Sequence, residues 1–238
     1  MEYSLIFFTL LCGTVIQGAV GFGFALVAAP ILMLLQPELV PGPITFAGLL
    51  LSFTMAYRER KEADIRNLGW LLIGFLPGLT IGAYMLQSLS NHSLSLLFGF
   101  LVLSSVLLSC IGIHIQEHSL RTTIPAGLLS GIMSITTAMG GPPVALLYQN
   151  ASGPKFRGTL AIFFFIGSLL TLAGLNKVGR MGVEEVLNGL YLMPAVLLGL
   201  LLAQPAAKWL DKGKTRYAVL TIAAIAGVSV IVQTLWFS

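Results

Sequence analysis

Apolar residues run through this chain in long blocks, and the charged residues are confined to short intervals between them. No Asp, Glu, Lys or Arg occurs between Glu2 and Glu38, Glu38 and Arg58, Arg66 and Glu117, Arg121 and Lys155, Arg157 and Lys177, or Glu185 and Lys208, nor after Arg216. A helix needs about 20 mostly apolar residues to cross a bilayer's hydrocarbon. The pattern predicts six plain spans, at 43–57, 68–86, 93–113, 158–175, 186–207 and 217–237. Two further apolar segments, 4–35 and 122–150, are too long for one span. As straight helices they would reach about 48 Å and about 43 Å, against a hydrocarbon core of about 30 Å.

Both long segments carry an internal break. The first contains Gln17-Gly18-Ala19-Val20-Gly21-Phe22-Gly23 and the second Thr136-Thr137-Ala138-Met139-Gly140-Gly141-Pro142-Pro143. Glycine permits positive φ, and proline lacks the N–H a continuing helix needs and disfavours helical geometry before it. Each segment is therefore read as two half-helices joined at a glycine-rich break. The order then repeats at a spacing of 117 to 118 residues: Gly13 maps to Gly131, Gly23 to Gly141, Pro77 to Pro194 and Gly82 to Gly199.

Charge placement chooses between two topologies. If each broken segment crossed fully, Lys and Arg would divide seven to six between the two sides. If each is a re-entrant hairpin, the intervals at 58–66, 114–121, 155–157 and 208–216 fall on one side with eleven of the thirteen Lys and Arg. Lys177 and Arg180 alone are left opposite. Short cytoplasmic loops carry an excess of Lys and Arg, which favours the second arrangement. The expectation is an all-α polytopic membrane protein of two inverted repeats, residues 1–116 and 117–238. Each repeat is a broken, re-entrant helical hairpin plus three transmembrane helices, eight hydrophobic segments in all. Both termini are then extracytoplasmic, and the two tips meet near the midplane.

Composition agrees. The chain is 56% hydrophobic and 9% charged, whereas soluble domains carry about 25% charged residues. The net charge of +4 belongs to the loops, so it is no nucleic-acid footprint, and the partner implied is the lipid of a cell (inner) membrane. The first segment is a poor signal peptide, because Glu2 stands where a basic n-region belongs and the apolar run continues to Leu35. Cys12 and Cys110 sit in apolar segments as small packing residues. No metal-ligand spacing is present, and no cofactor is implied. His92, His114 and His118 fall in loops between spans.

The chemistry then rests on the breaks. Non-helical backbone is tolerated at membrane depth only where protein or water satisfies it. The second half-helices start near Phe24 and Pro142 with unpaired N–H groups and a partial positive charge, which suits a small anion. Gln17, Thr136 and Thr137 offer donors beside Gly18, Gly21, Gly23, Gly140, Gly141 and Pro142; Gln17 serves either a ligand or an interhelical hydrogen bond, and Phe22 and Phe24 either wall a pocket or pack in the core or against lipid. For the two threonines the alternative is bonding back to their own helix.

At these residues the chain resembles a known family. Gly18-Ala-Val-Gly-Phe-Gly-Phe-Ala-Leu-Val-Ala-Ala-Pro30 and Gly140-Gly-Pro-Pro-Val-Ala-Leu-Leu-Tyr148, followed by Phe156-Arg157-Gly158-Thr159-Leu160, resemble the signatures of the TauE/SafE sulfite and organosulfonate exporters. The resemblance implies transport of sulfur-containing anions such as sulfite, sulfoacetate, other sulfonates or thiosulfate. It also implies motif roles for Gly18, Gly21, Gly23 and Pro30, and for Gly140, Gly141, Pro142 and Pro143. Two other classes stay open: a channel or transporter for another small solute, and a non-transporting membrane scaffold. An intramembrane enzyme is disfavoured, because the spans hold neither an acid pair nor a histidine. A homodimer is compatible with the sequence.

Overall fold

The computed structural model describes residues 2–111, 119–206 and 212–236. These form ten α-helices and two 3-10 turns: α1 (Glu2–Val20), α2 (Phe24–Leu35), α3 (Gly42–Glu59), α4 (Ile65–Ser88), α5 (Asn91–Ile111), α6 (Leu120–Thr137), α7 (Gly141–Leu147), α8 (Gly153–Lys177), α9 (Val183–Ala206) and α10 (Lys212–Trp236). Among the described residues, α1, α4, α8 and α9 are long and apolar enough to cross a membrane. Large apolar side chains such as Phe8, Tyr57 and Leu201 stand outward, 62%, 66% and 73% exposed, as suits a surface solvated by lipid. His114, His118, Lys208 and the boundary at 116/117 lie outside the described residues.

Both breaks fall where the sequence places them, at 21–23 and 138–140. Their arms are unequal. α1 and α6 have 19 and 18 residues, whereas α2 and α7 have 12 and 7. At 1.5 Å per residue α1 alone reaches about 28 Å, so it is close to a full crossing rather than a half-helix. The breaks fall near the middles of the apolar segments, and the arms differ mainly because α1 begins at Glu2, α6 at Leu120 and α7 stops at Leu147.

Each segment doubles back. Thr123, one turn into α6, donates to Asn67 Oδ1 at 3.3 Å, and Asn67 Nδ2 donates to the hydroxyl of Tyr148, just beyond α7, at 2.9 Å. Both ends of the second segment therefore meet the start of α4. At the opposite end of the molecule the Tyr3 ring, in the first turn of α1, meets Tyr191 of α9, with centroids 6.1 Å apart. Beyond α2, Glu38 shares a cavity wall with Arg180 and Glu185.

Helices of the two chain halves interleave. α4 packs along α6, α1 along α9, α3 against α8 and α9, α5 against α10, and α2 against α10. The α4–α6 pair is parallel: Gly74 sits on Ile124 and Leu128, and Gly82 on Ile132 and Ile135. Small residues let such helices approach backbone to backbone. α1 and α9 are also parallel, with Gly199 against Thr14 and Gly18 against Ala203.

A polar clasp ties the halves at the end where α3 finishes. Arg157 Nε lies 3.3 Å from Glu59 Oε1, and Lys155 Nζ lies 3.5 Å from Asp64 Oδ2. Asp64 also caps α4 by accepting from the Asn67 amide, and its own amide donates to Thr159 Oγ1 at 2.9 Å. Gly158 packs under the Glu59 carbonyl, where a side chain would collide.

Candidate functional site

The two breaks line one cavity. Its wall takes Gln17, Phe22, Gly23 and Phe24 from the first break and Ala138, Met139, Gly140, Gly141 and Pro142 from the second. Thr45, Phe75, Ser134, Phe163, Phe164 and Ser168 are among the others that line it. The volume is about 70 Å³, room for roughly five waters or one compact ion.

Local backbone makes this shape. Gly21 and Gly23 hold φ of 108° and 128°, values that side-chain-bearing residues rarely adopt. The turn aims α2 back along α1, so that the Phe24 carbonyl faces Gly13. At the second break the positive φ falls on Ala138, at 61°, rather than on a glycine. Its amide closes α6 on the Ser134 carbonyl at 2.9 Å. Gly140 and Gly141 have another purpose. A side chain at Gly140 would stand 2.8 Å from the Ser130 carbonyl oxygen, and one at Gly141 3.1 Å from the Phe164 ring and 3.4 Å from Phe22.

Gln17 organises the first break. It is 7% exposed, and its Oε1 accepts from the Phe24 amide at 3.0 Å. An N–H can bond only the oxygen of the side-chain amide, so the orientation is settled and the NH₂ is the group left for the cavity. The next first-turn amides, of Ala25 and Leu26, have no carbonyl four residues back within α2. The second break supplies fewer backbone donors than its sequence suggests, because prolines occupy two of the first three positions of α7. The expected pair of matched N–H clusters is thus lopsided toward α2.

The other sequence candidates lie elsewhere. The Gly18 carbonyl accepts from Arg58 Nη2 at 3.1 Å, and Gly21 packs on Phe156 and Arg157. Both sit at the clasp end, below the cavity. Thr136 and Thr137 donate to Ile132 and Met133 carbonyls at 2.7 and 2.6 Å, and Thr137 Oγ1 accepts from the Met139 amide. Thr136 faces a second cavity of about 750 Å³ at the opposite end, lined also by Glu38, His92, Arg180 and Glu185. Sequence reading missed Thr45 and Ser168, which arrive from plain spans, and Ser134, one turn before the second break. Their only sequence signal is a small hydroxyl in an apolar helix.

The family described as Sulfite exporter TauE/SafE matches residues 5–230. A curated protein of Bacillus subtilis (strain 168), "Probable membrane transporter protein YunE", is 29% identical over 209 residues, covering 82% of this chain and 66% of that protein's length. No solved structure matches. With the match running through both breaks and every described helix, the chain belongs to the sulfite exporter TauE/SafE family.

Proposed function

We propose that this chain is a multi-pass transporter of the cell (inner) membrane that carries a small anion, sulfite or an organosulfonate such as sulfoacetate, through the cavity between its breaks. The observation that carries the reading is Gln17. Its oxygen accepts from the Phe24 amide, and its NH₂ is left with two donors for the cavity. Around it stand neutral side chains and aromatic walls, with no Asp, Glu, Lys or Arg among the described lining residues. Such a site suits a solute that only accepts hydrogen bonds, and charge-assisted bonds are the stronger kind. The family's description and the relative's name agree with transport. Saturable uptake of labelled sulfite or sulfoacetate into proteoliposomes is the expected result. Flux of a cation or neutral solute with none of either anion would overturn the reading.

The proposal includes the topology. The clasp end, with Arg58, Arg121, Lys155 and Arg157, is cytoplasmic, and the end with His92 and Arg180 is external. The two repeats are inverted. Support comes from the eleven-to-two division of Lys and Arg and from exchanged pairings: α4 with α6 answers α9 with α1, and α5 with α7 answers α10 with α2. Cysteines placed singly at Arg121, Lys155 and Arg180, in a chain lacking Cys12 and Cys110, test it. An impermeant reagent applied outside intact cells should label the third position and spare the first two. Labelling of Arg121 and Lys155 from opposite sides would end the re-entrant arrangement.

A further inference from the structure

Several buried hydroxyls of the helices bond back to their own backbone. Thr14, Thr45, Thr136 and Thr137 each donate to the carbonyl four residues earlier, at 2.6 to 2.7 Å. Thr171 of α8 does not. Its Oγ1 lies 2.9 Å from Ser134 Oγ of α6, a contact between residues 37 apart in the chain. Thr171 is fully buried and lies outside the cavity wall, whereas Ser134 lines it. Ser134 also stands beside the second break, where a side chain at Gly140 would come within 3.4 Å of its Oγ.

We infer that Ser134 is a substrate-contacting donor and that Thr171 is its positioning residue. This rests on the anion reading above. A hydroxyl has one proton to donate and can accept as well. When an acceptor-only solute takes Ser134's proton, Ser134 must receive any bond from Thr171 rather than give one. The chain Thr171 O–H to Ser134 O–H to solute then runs in one direction, and each bond polarises the next. α8 thereby supplies, through α6, the donor that the prolines of α7 remove from the second break. Gln17 and Ser134 together approach the solute from the two chain halves.

Sulfite binding to purified full-length protein, measured by isothermal titration, tests this. Ser134→Ala should weaken binding about ten- to hundred-fold, the range for one hydrogen bond to a charged group. Thr171→Val, which keeps the shape and leaves the cavity wall intact, should weaken it about three- to ten-fold. The double variant should bind like Ser134→Ala alone, since Thr171 acts only through Ser134. Thr171→Ser should restore near-normal affinity, which a purely packing role for the threonine methyl would not. Wild-type-like binding by Ser134→Ala, or additive losses in the double variant, would overturn the inference while leaving anion transport in place. A wild type that binds neither sulfite nor sulfoacetate would overturn the proposed function, and this inference with it.

Discussion

Gly78→Val is expected to leave no stably folded protein. A Cβ at Gly78 would run into the carbonyl of Leu128, and the same holds at Gly74 against Ile124, Gly127 against Leu71 and Gly131 against Phe75. These are backbone atoms held in helical hydrogen bonds, so no rotamer change relieves the collision. α4 and α6 would have to part along a contact that also carries the buried Asn67–Thr123 bond. Overpacking a side-chain core costs about 1 to 3 kcal/mol, and a clash that only separation can relieve should exceed about 3 kcal/mol. A Cβ at Gly69, on the same helix, would meet nothing within 4 Å. Gly69→Ala should therefore be neutral or stabilising by up to about 1 kcal/mol, the helix-propensity difference. Thermal midpoints and size-exclusion profiles in detergent compare the two. A monodisperse Gly78→Val protein with wild-type stability would show that the α4–α6 contact is looser than described.

Gln17→Glu should abolish anion binding without unfolding the chain. The carboxylate can still accept from the Phe24 amide, so the start of α2 keeps its cap. What changes is the other atom, from a donating NH₂ to a negative oxygen. The lost donor costs on the order of 1.5 to 3 kcal/mol. Repulsion between unit charges about 4 Å apart adds roughly 4 kcal/mol at an effective dielectric of about 20. The two effects together predict at least a thousand-fold loss of sulfite affinity at a pH where the introduced group is ionised. Gln17→Ala loses the donor without the repulsion, so it should bind more tightly than Gln17→Glu. It also leaves the buried Phe24 amide uncapped and should be the less stable of the two variants. Titration calorimetry gives the affinities and thermal midpoints give the stabilities. Wild-type affinity in an ionised Gln17→Glu protein would remove the first break from the anion site.

The helix breaks were legible because glycine and proline act on their own backbone. Gly21 and Gly23 take the positive φ their type permits, and Pro142 opens α7 from the first turn. Ala138 was not legible in that way, since nothing in an alanine announces a left-handed residue. Gln17 could be singled out as a polar residue beside a break, but its orientation depends on Phe24, seven positions on. Thr136 and Thr137 looked equivalent to it, yet their hydroxyls turn back to their own helix. Adjacency to a break says nothing about which way a helical face points. Ser134 and the Glu59–Arg157 pair depend on partners 37 and 98 positions away. Period and propensity describe a segment and carry no information about the segment it will meet.

The glycine face of α4 has a consequence for how the protein is made. α4 ends at Ser88, but the helix it packs against ends at Thr137, 137 − 88 = 49 residues later. At about 5 to 20 residues per second, a ribosome needs roughly 2 to 10 s to cover that distance. Throughout that interval Gly74, Gly78 and Gly82 face lipid or the insertion machinery, with bare backbone where α6 will lie. Completion of the first half is therefore not its folding: α4 waits in the bilayer as an unpartnered helix, and the docking of α6 is a late event in the birth of the molecule.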